Sequence, residues 1–271
     1  MAVEVIAGRR TGVRYAGIGE PAVLLHCSLA HSGAWGGVMA GLADRLSMLA
    51  VDLPGHGETE FDPASDGQTQ ACETTIALLE RMDRPANLIG HSFGATVAMR
   101  IAITRPDLVA SLSLYEPVYF SLLAEGNPEA HARERADASK FLTHLVAGDM
   151  HTAAVLFLEL WGGPGGFKSM SKPQQDYILK TIPHILNNSR SVMEGHQGSV
   201  DLSNVANIKA PFLLMEGGLS PEPIRMLNDL LVATLPTVQR HVFETAAHMG
   251  PISQASDVTR VVRAFLFGDE T

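Results

Sequence analysis

Short apolar runs ending at Gly, Pro or Ser alternate with helix-length segments through the first 117 residues, and this rhythm restricts the chain to very few architectures. "AVLLHCS" (22–28), "SMLAVDLPG" (47–55), "ANLIG" (86–90) and "VASLSLYEP" (109–117) read as buried strands. Between them, "WGGVMAGLADRL" (35–46) and "TQACETTIALLERMD" (69–83) carry apolar residues at three- and four-residue spacing, as amphipathic helices do. Strands without polar alternation are apolar on both faces, so the pattern predicts an α/β fold with a mostly parallel, doubly wound sheet. After Pro117 the rhythm stops: 118–206 reads as helical, with "EAHARERADASKFLTHLVAG" and "MHTAAVLFLELWG" and no buried strand. Strands resume at "APFLLMEGG" (210–218) and "VQRHVFETA" (238–246), separated by the helical "PIRMLNDLLVATLP" and followed by a helix near 254–267. The expected organisation is a core of 1–117 and 207–271 interrupted by a helical cap, 118–206. "GIGEPA" (17–22) precedes a strand and is expected to be a hairpin turn rather than a dinucleotide fingerprint.

Composition narrows the function classes. A chain of 271 residues that is 46% hydrophobic can bury a substantial core. Its formal charge of −9 and its 20 scattered Lys and Arg argue against nucleic acid as a partner. Cys27 and Cys72 form no C-x-x-C pair and read as reduced thiols. The N-terminal order, Glu4 and an apolar run before arginines, is the reverse of a signal peptide. No apolar stretch approaches the roughly 20 residues of a membrane span. The expectation is a soluble cytoplasmic protein, monomer or homodimer, acting on a small-molecule substrate without membrane or nucleic acid.

"LIGHSFGAT" places Gly90, Ser92 and Gly94 in a G-x-S-x-G pattern between a strand and a helix. Such a sharp strand-to-helix turn holds the serine in a strained conformation, and small neighbours let the backbones pass. Backbone N–H groups at the helix start, beginning with Phe93, can face a developing oxyanion. "HCSLAHSGAW" (26–35), "DLPGHG" (52–57) and "AAHMGP" (246–251) each follow a strand, in that order along the chain. Together these segments resemble the α/β-hydrolase superfamily over nearly the whole core, though not over the insertion. The resemblance implies Ser92 as nucleophile, His248 as base and the Phe93 N–H as one oxyanion donor, with no cofactor. It makes Ser28 the second donor, with Leu29 the adjacent possibility. Cys27 stands where the superfamily usually has glycine.

In this superfamily the acid most often follows the strand that here reads "FLLMEGG", at a position occupied by Ser220. A serine hydroxyl cannot supply the charge that stabilises imidazolium. The second location in the family, after the strand following the nucleophile helix, holds Glu116, with Glu222 as the competing carboxylate. Pro117 predicts an extended conformation at Glu116. Ser220 would then serve as N-cap of the following helix, with Pro221 at its first position.

The remaining features read more plainly. His26 is expected to brace the oxyanion loop, His56 to belong to the Gly-rich turn, and His91 to touch substrate or pack. His31, His131, His144, His151, His184, His196 and His241 show no ligand spacing, so no metal is expected. "GGPGGFKS" (162–169) lacks the strand and spacing of a phosphate loop and reads as a turn. Tyr119, Phe120, Met150, Leu156, Phe157 and Trp161 could line an apolar substrate pocket. The expected activity is cleavage of a small to medium ester or lactone through an acyl-enzyme at Ser92. Alternatives are a carbon–carbon bond hydrolase, a cofactor-free perhydrolase, or a non-catalytic ligand-binding protein on the same scaffold.

Overall fold

The structure, a computed structural model, describes residues 1–163, 165–195 and 200–268. Its strands are β1 (Ala2–Ile6), β2 (Arg9–Ala16), β3 (Glu20–Leu25), β4 (Leu46–Val51), β5 (Ala86–His91), β6 (Val109–Tyr115), β7 (Phe212–Gly217) and β8 (Gln239–Phe243). They form one eight-stranded sheet in the order β1-β2-β4-β3-β5-β6-β7-β8. The pairs β1–β2 and β2–β4 are antiparallel, and all others are parallel.

Alternation along each parallel strand feeds two cores. Val23, Leu25 and Leu88 face the helices Gly67–Leu79 and Phe93–Thr104. Their neighbours Ala22, Leu24 and Ile89 pack with Trp35, Val38, Val258 and Val262 on the opposite side, where helices Gly36–Leu42 and Ala255–Phe267 lie. Burial on both faces is why these strands are continuous apolar runs.

The antiparallel edge follows different physics. β1 has a mostly alternating burial and β2 carries Arg9, Arg10 and Arg14, so neither forms an apolar run. Ala7 (φ 48°) and Gly8 (φ 74°) make the tight turn between them. "GIGEPA" is not a hairpin turn, because β2 and β3 are not neighbours: β4 lies between them. Its backbone instead docks on the segment entering β4, with Ile18 N–H donating to Ala43 O and Glu20 N–H to Arg45 O, both at 3.0 Å. A Cβ on Gly19 (φ 120°) would fall 2.0 Å from Arg45 O, so this crossing requires glycine.

Between β6 and β7 the described residues contain helices and no strand; the longer helices are Pro128–Val146, Met150–Trp161, Lys172–Thr181 and Pro183–Met193. Asn127 and Asp149 cap the first two by accepting the N–H groups of Ala130 (3.1 Å) and Thr152 (3.0 Å). Within "GGPGGFKS", Gly166–Ser169 forms a single 3₁₀ turn, while Pro164 lies outside the described residues, as does His196. Among the described residues no helix is long and apolar enough to cross a membrane.

Candidate active site

The turn from β5 into helix Phe93–Thr104 explains its own sequence. Ser92 sits at φ 54°, ψ −116°, a costly conformation for a residue with a side chain. A Cβ on Gly90 would lie 2.7 Å from Ala95 Cα, and one on Gly94 would lie 2.2 Å from Leu25 O. Only glycine fits on either side. The Ser92 N–H donates to Tyr115 O at 2.9 Å, tying the turn to the end of β6. As the first residue of the helix, Phe93 has no carbonyl one turn back for its N–H.

Three residues from three distant strand ends, Ser92, Glu116 and His248, meet at this turn. The Ser92 hydroxyl stands 2.9 Å from His248 Nε2, and His248 Nδ1 stands 2.5 Å from Glu116 Oε2. Glu116 is completely buried, and its other oxygen accepts the Gly217 N–H at 2.7 Å and the Ser220 hydroxyl at 2.5 Å. Two expectations are corrected here. Glu116 is not extended before Pro117 but left-handed, at φ 48°. Its N–H donation to Met215 O (2.9 Å) and the three bonds to its carboxylate outweigh the local preference. Ser220 is not an N-cap: the helix runs Glu222–Thr234 with Pro221 at the cap, and the serine hydroxyl is spent on Glu116. The competing Glu222 faces outward beside Arg225, its side chain 58% exposed.

The histidine is fixed from behind. The His91 ring donates to His248 O at 2.8 Å, and Tyr115 Oη donates to Ala247 O at 2.8 Å. Burial holds the His91 ring well below the usual histidine range, so it stays neutral, and its rings pack against Tyr115 and His248. His91, expected to touch substrate or to pack, therefore packs: it supports the loop that carries His248.

Two loops opposite the turn brace each other through histidines. His26 donates from Nδ1 to Cys27 O (2.7 Å) and accepts the Leu53 N–H at Nε2 (2.9 Å). His56 donates from Nδ1 to Pro54 O (3.0 Å) and accepts the Leu29 N–H at Nε2 (3.1 Å). Each loop thus supplies an acceptor for the other's backbone. Both roles need a neutral ring, and burial supplies it, lowering His26 to about 4 and His56 well below its ordinary value. The Leu29 N–H, the adjacent possibility for an oxyanion donor, is thus already engaged by His56. Burial pushes the Cys27 thiol up to about 12, keeping it a neutral small side chain where a glycine is usual.

The family model described as "Alpha/beta hydrolase family" matches residues 22–262. The chain belongs to the alpha/beta hydrolase family. It is similar to the pimeloyl-[acyl-carrier protein] methyl ester esterase of Methylococcus capsulatus, 38% identical over 102 residues that cover 38% of this chain and 39% of that protein. The enzyme of the same name from Yersinia pseudotuberculosis is 24% identical over 255 residues, covering 90% of this chain and 92% of that protein. A thermophilic esterase from Thermogutta terrifontis has the same fold, with a TM-score of 0.76 at 19% identity, covering 98% of each chain.

In this alpha/beta hydrolase the insertion closes over the turn and leaves two compartments that share Ser28, Phe157 and Trp161. The larger, about 650 Å³, is lined by Leu29, His31, Tyr177 and His248 among others. The smaller, about 70 Å³, is lined by Phe93, Phe120, Glu134 and Phe157 among others. The Trp161 ring stands edge-on to the His248 imidazole, with centroids 4.9 Å apart. Tyr177, from the insertion, was not singled out in the sequence. Its hydroxyl donates to Ala30 O (2.7 Å) and accepts the Gly57 N–H (3.0 Å), linking insertion and both loops. Among the described residues no group of three or more His, Cys, Asp or Glu is placed to hold a metal.

Proposed function

We propose that this hydrolase is a serine carboxylesterase, cleaving a small to medium ester or lactone through an acyl-enzyme at Ser92. The observation that carries the reading is the unbroken line of hydrogen bonds from the Ser92 hydroxyl through His248 to Glu116. A serine hydroxyl is a weak nucleophile until a base accepts its proton, and His248 Nε2 is within reach to do so. Attack on the ester carbonyl leaves a charged oxygen, for which the Phe93 and Ser28 N–H groups are the donors. Glu116 holds the ring tautomer that presents a bare Nε2 to serine and stabilises the imidazolium that forms.

The two compartments then acquire a direction. His248 returns its proton to the departing oxygen, so the alcohol leaves on the side that His248 lines, the larger cavity. The acyl group occupies the smaller one, which Phe93 lines. Residues 1–117 and 207–271 form the catalytic core in this reading, and 118–206 the cap that shapes both compartments. Esterase relatives that act on a methyl ester by name support the substrate class.

A fluorophosphonate probe and p-nitrophenyl butyrate test the proposal together. The probe labels Ser92, Ser92→Ala abolishes labelling, and kcat for the ester falls by about 10⁴-fold or more. Hydrolysis that survives in Ser92→Ala would sink the reading.

A further inference from the structure

Glu134, in helix Pro128–Val146 of the insertion, is only 3% exposed, and no hydrogen bond or ion pair joins it to another described residue. Burial pushes its carboxyl up to about 7, with the charge of Asp137 adding to the rise. It lines the small compartment, where five aromatic residues, Phe93, Phe120, Phe141, Phe157 and Trp161, supply much of the wall. Asn188 lines the same compartment, but its Oδ1 is turned away from it toward Gly67, which leaves Glu134 as the acid on this wall. An apolar residue at 134 would pack into such a wall without the cost of an unpaired acid. An ionised carboxylate accepts hydrogen bonds, so the complement that Glu134 lacks is a donor. Aromatic faces around a carboxylate favour a cation over a neutral donor, through attraction to the ring faces and to the charge.

We propose that the small compartment seats a compact ammonium group on the acyl part of the substrate, with Glu134 as its counter-ion. The compartment, about 70 Å³, is large enough for a short aminoalkyl chain. The reaction balances as ordinary ester hydrolysis, ester and water giving the amino acid and the alcohol. The assignment of the group to the acyl part rests on the serine-esterase reading above.

The test compares methyl 4-aminobutanoate with its isostere methyl pentanoate and with methyl 4-hydroxybutanoate, at pH 7, in the wild type and in Glu134→Gln and Glu134→Leu. The wild type is expected to favour the amino ester by at least tenfold in kcat/KM over both others. Glu134→Gln should lose at least tenfold of that preference, and Glu134→Leu should reverse it in favour of pentanoate. A purely structural role would lower all three substrates alike. A wild-type preference for the hydroxy or pentanoate ester, or an amino preference that persists in both variants, overturns the proposal. Calorimetry with n-propylammonium chloride separates this outcome from failure of the esterase reading. If no ester is turned over, p-nitrophenyl butyrate included, the esterase reading fails. Propylammonium binding that weakens at least tenfold in Glu134→Gln would still support the pocket, whereas equal or absent binding overturns it.

Discussion

Glu116 and Glu134 are both buried carboxyls within reach of the same site, and they are treated oppositely. Glu116 is saturated: an imidazole, a backbone N–H and a serine hydroxyl all converge on it. Glu134 has no partner among the described residues and a wall of aromatic rings. Burial alone therefore says little about what an acid does. Partners supplied by the fold fix a charge in place for chemistry on a neighbour, while their absence leaves the group available to something that arrives from outside.

The contrast can be broken most forcefully at Glu116. Glu116→Gln is expected to lower kcat by about 10⁴-fold, as loss of the acid does in the serine-protease template, while Glu222→Gln leaves turnover unchanged. Steady-state kinetics that reversed this order would remove Glu116 from the line of hydrogen bonds.

At Glu134 the expected effect is on stability, with the opposite sign. Its carboxyl ionises near 7 in the folded chain and near 4.5 when exposed, so wild-type stability falls as pH rises through that window. Glu134→Leu should raise unfolding free energy by up to about 3 kcal/mol at pH 8 and progressively less toward pH 4, as measured by urea denaturation. Equal gains at both pH values would show that the acid is not carrying an ionisation cost.

The smallest effect should come from Ser220. Ser220→Ala removes one of the donors to Glu116 while leaving Gly217 and His248 in place. We expect kcat to fall roughly tenfold, the size of one charge-assisted hydrogen bond, with KM little changed. A loss as large as that of Glu116→Gln would mean that the serine matters more than the carboxylate it supports.

The parallel strands could be read from the sequence because burial on both faces removes polar residues from them, as in "AVLLH" and "ANLIG". β1 and β2 could not, because strands near the margin of the sheet with one wet face tolerate polar residues and arginines and look like loops. Gly90, Ser92 and Gly94 were legible since the steric demand of the turn is local. The meeting of Glu116 with His248 was reached through family resemblance and elimination, as no local pattern links residues 132 positions apart. Its φ ran against the local signal from Pro117, a case in which tertiary bonds override backbone preference. Tyr177 and Glu134 lay in helical stretches where a hydroxyl or a charge ordinarily faces water. Nothing in "EAHARERADASK" distinguishes the one glutamate that turns inward.

The Ser220 hydroxyl and the Glu116 carboxylate touch, although they hang from the ends of two different strands. The two places in this family where an acid can stand thus converge on a single point in space, approached from β6 or from β7. A lineage could move the acid from one strand to the other without disturbing the histidine, passing through an ancestor with carboxyls at both ends. Glu116→Gln combined with Ser220→Asp would retrace that step in the laboratory. Sequence alignments would record it as the loss of a conserved acid, when the charge had only changed its point of attachment.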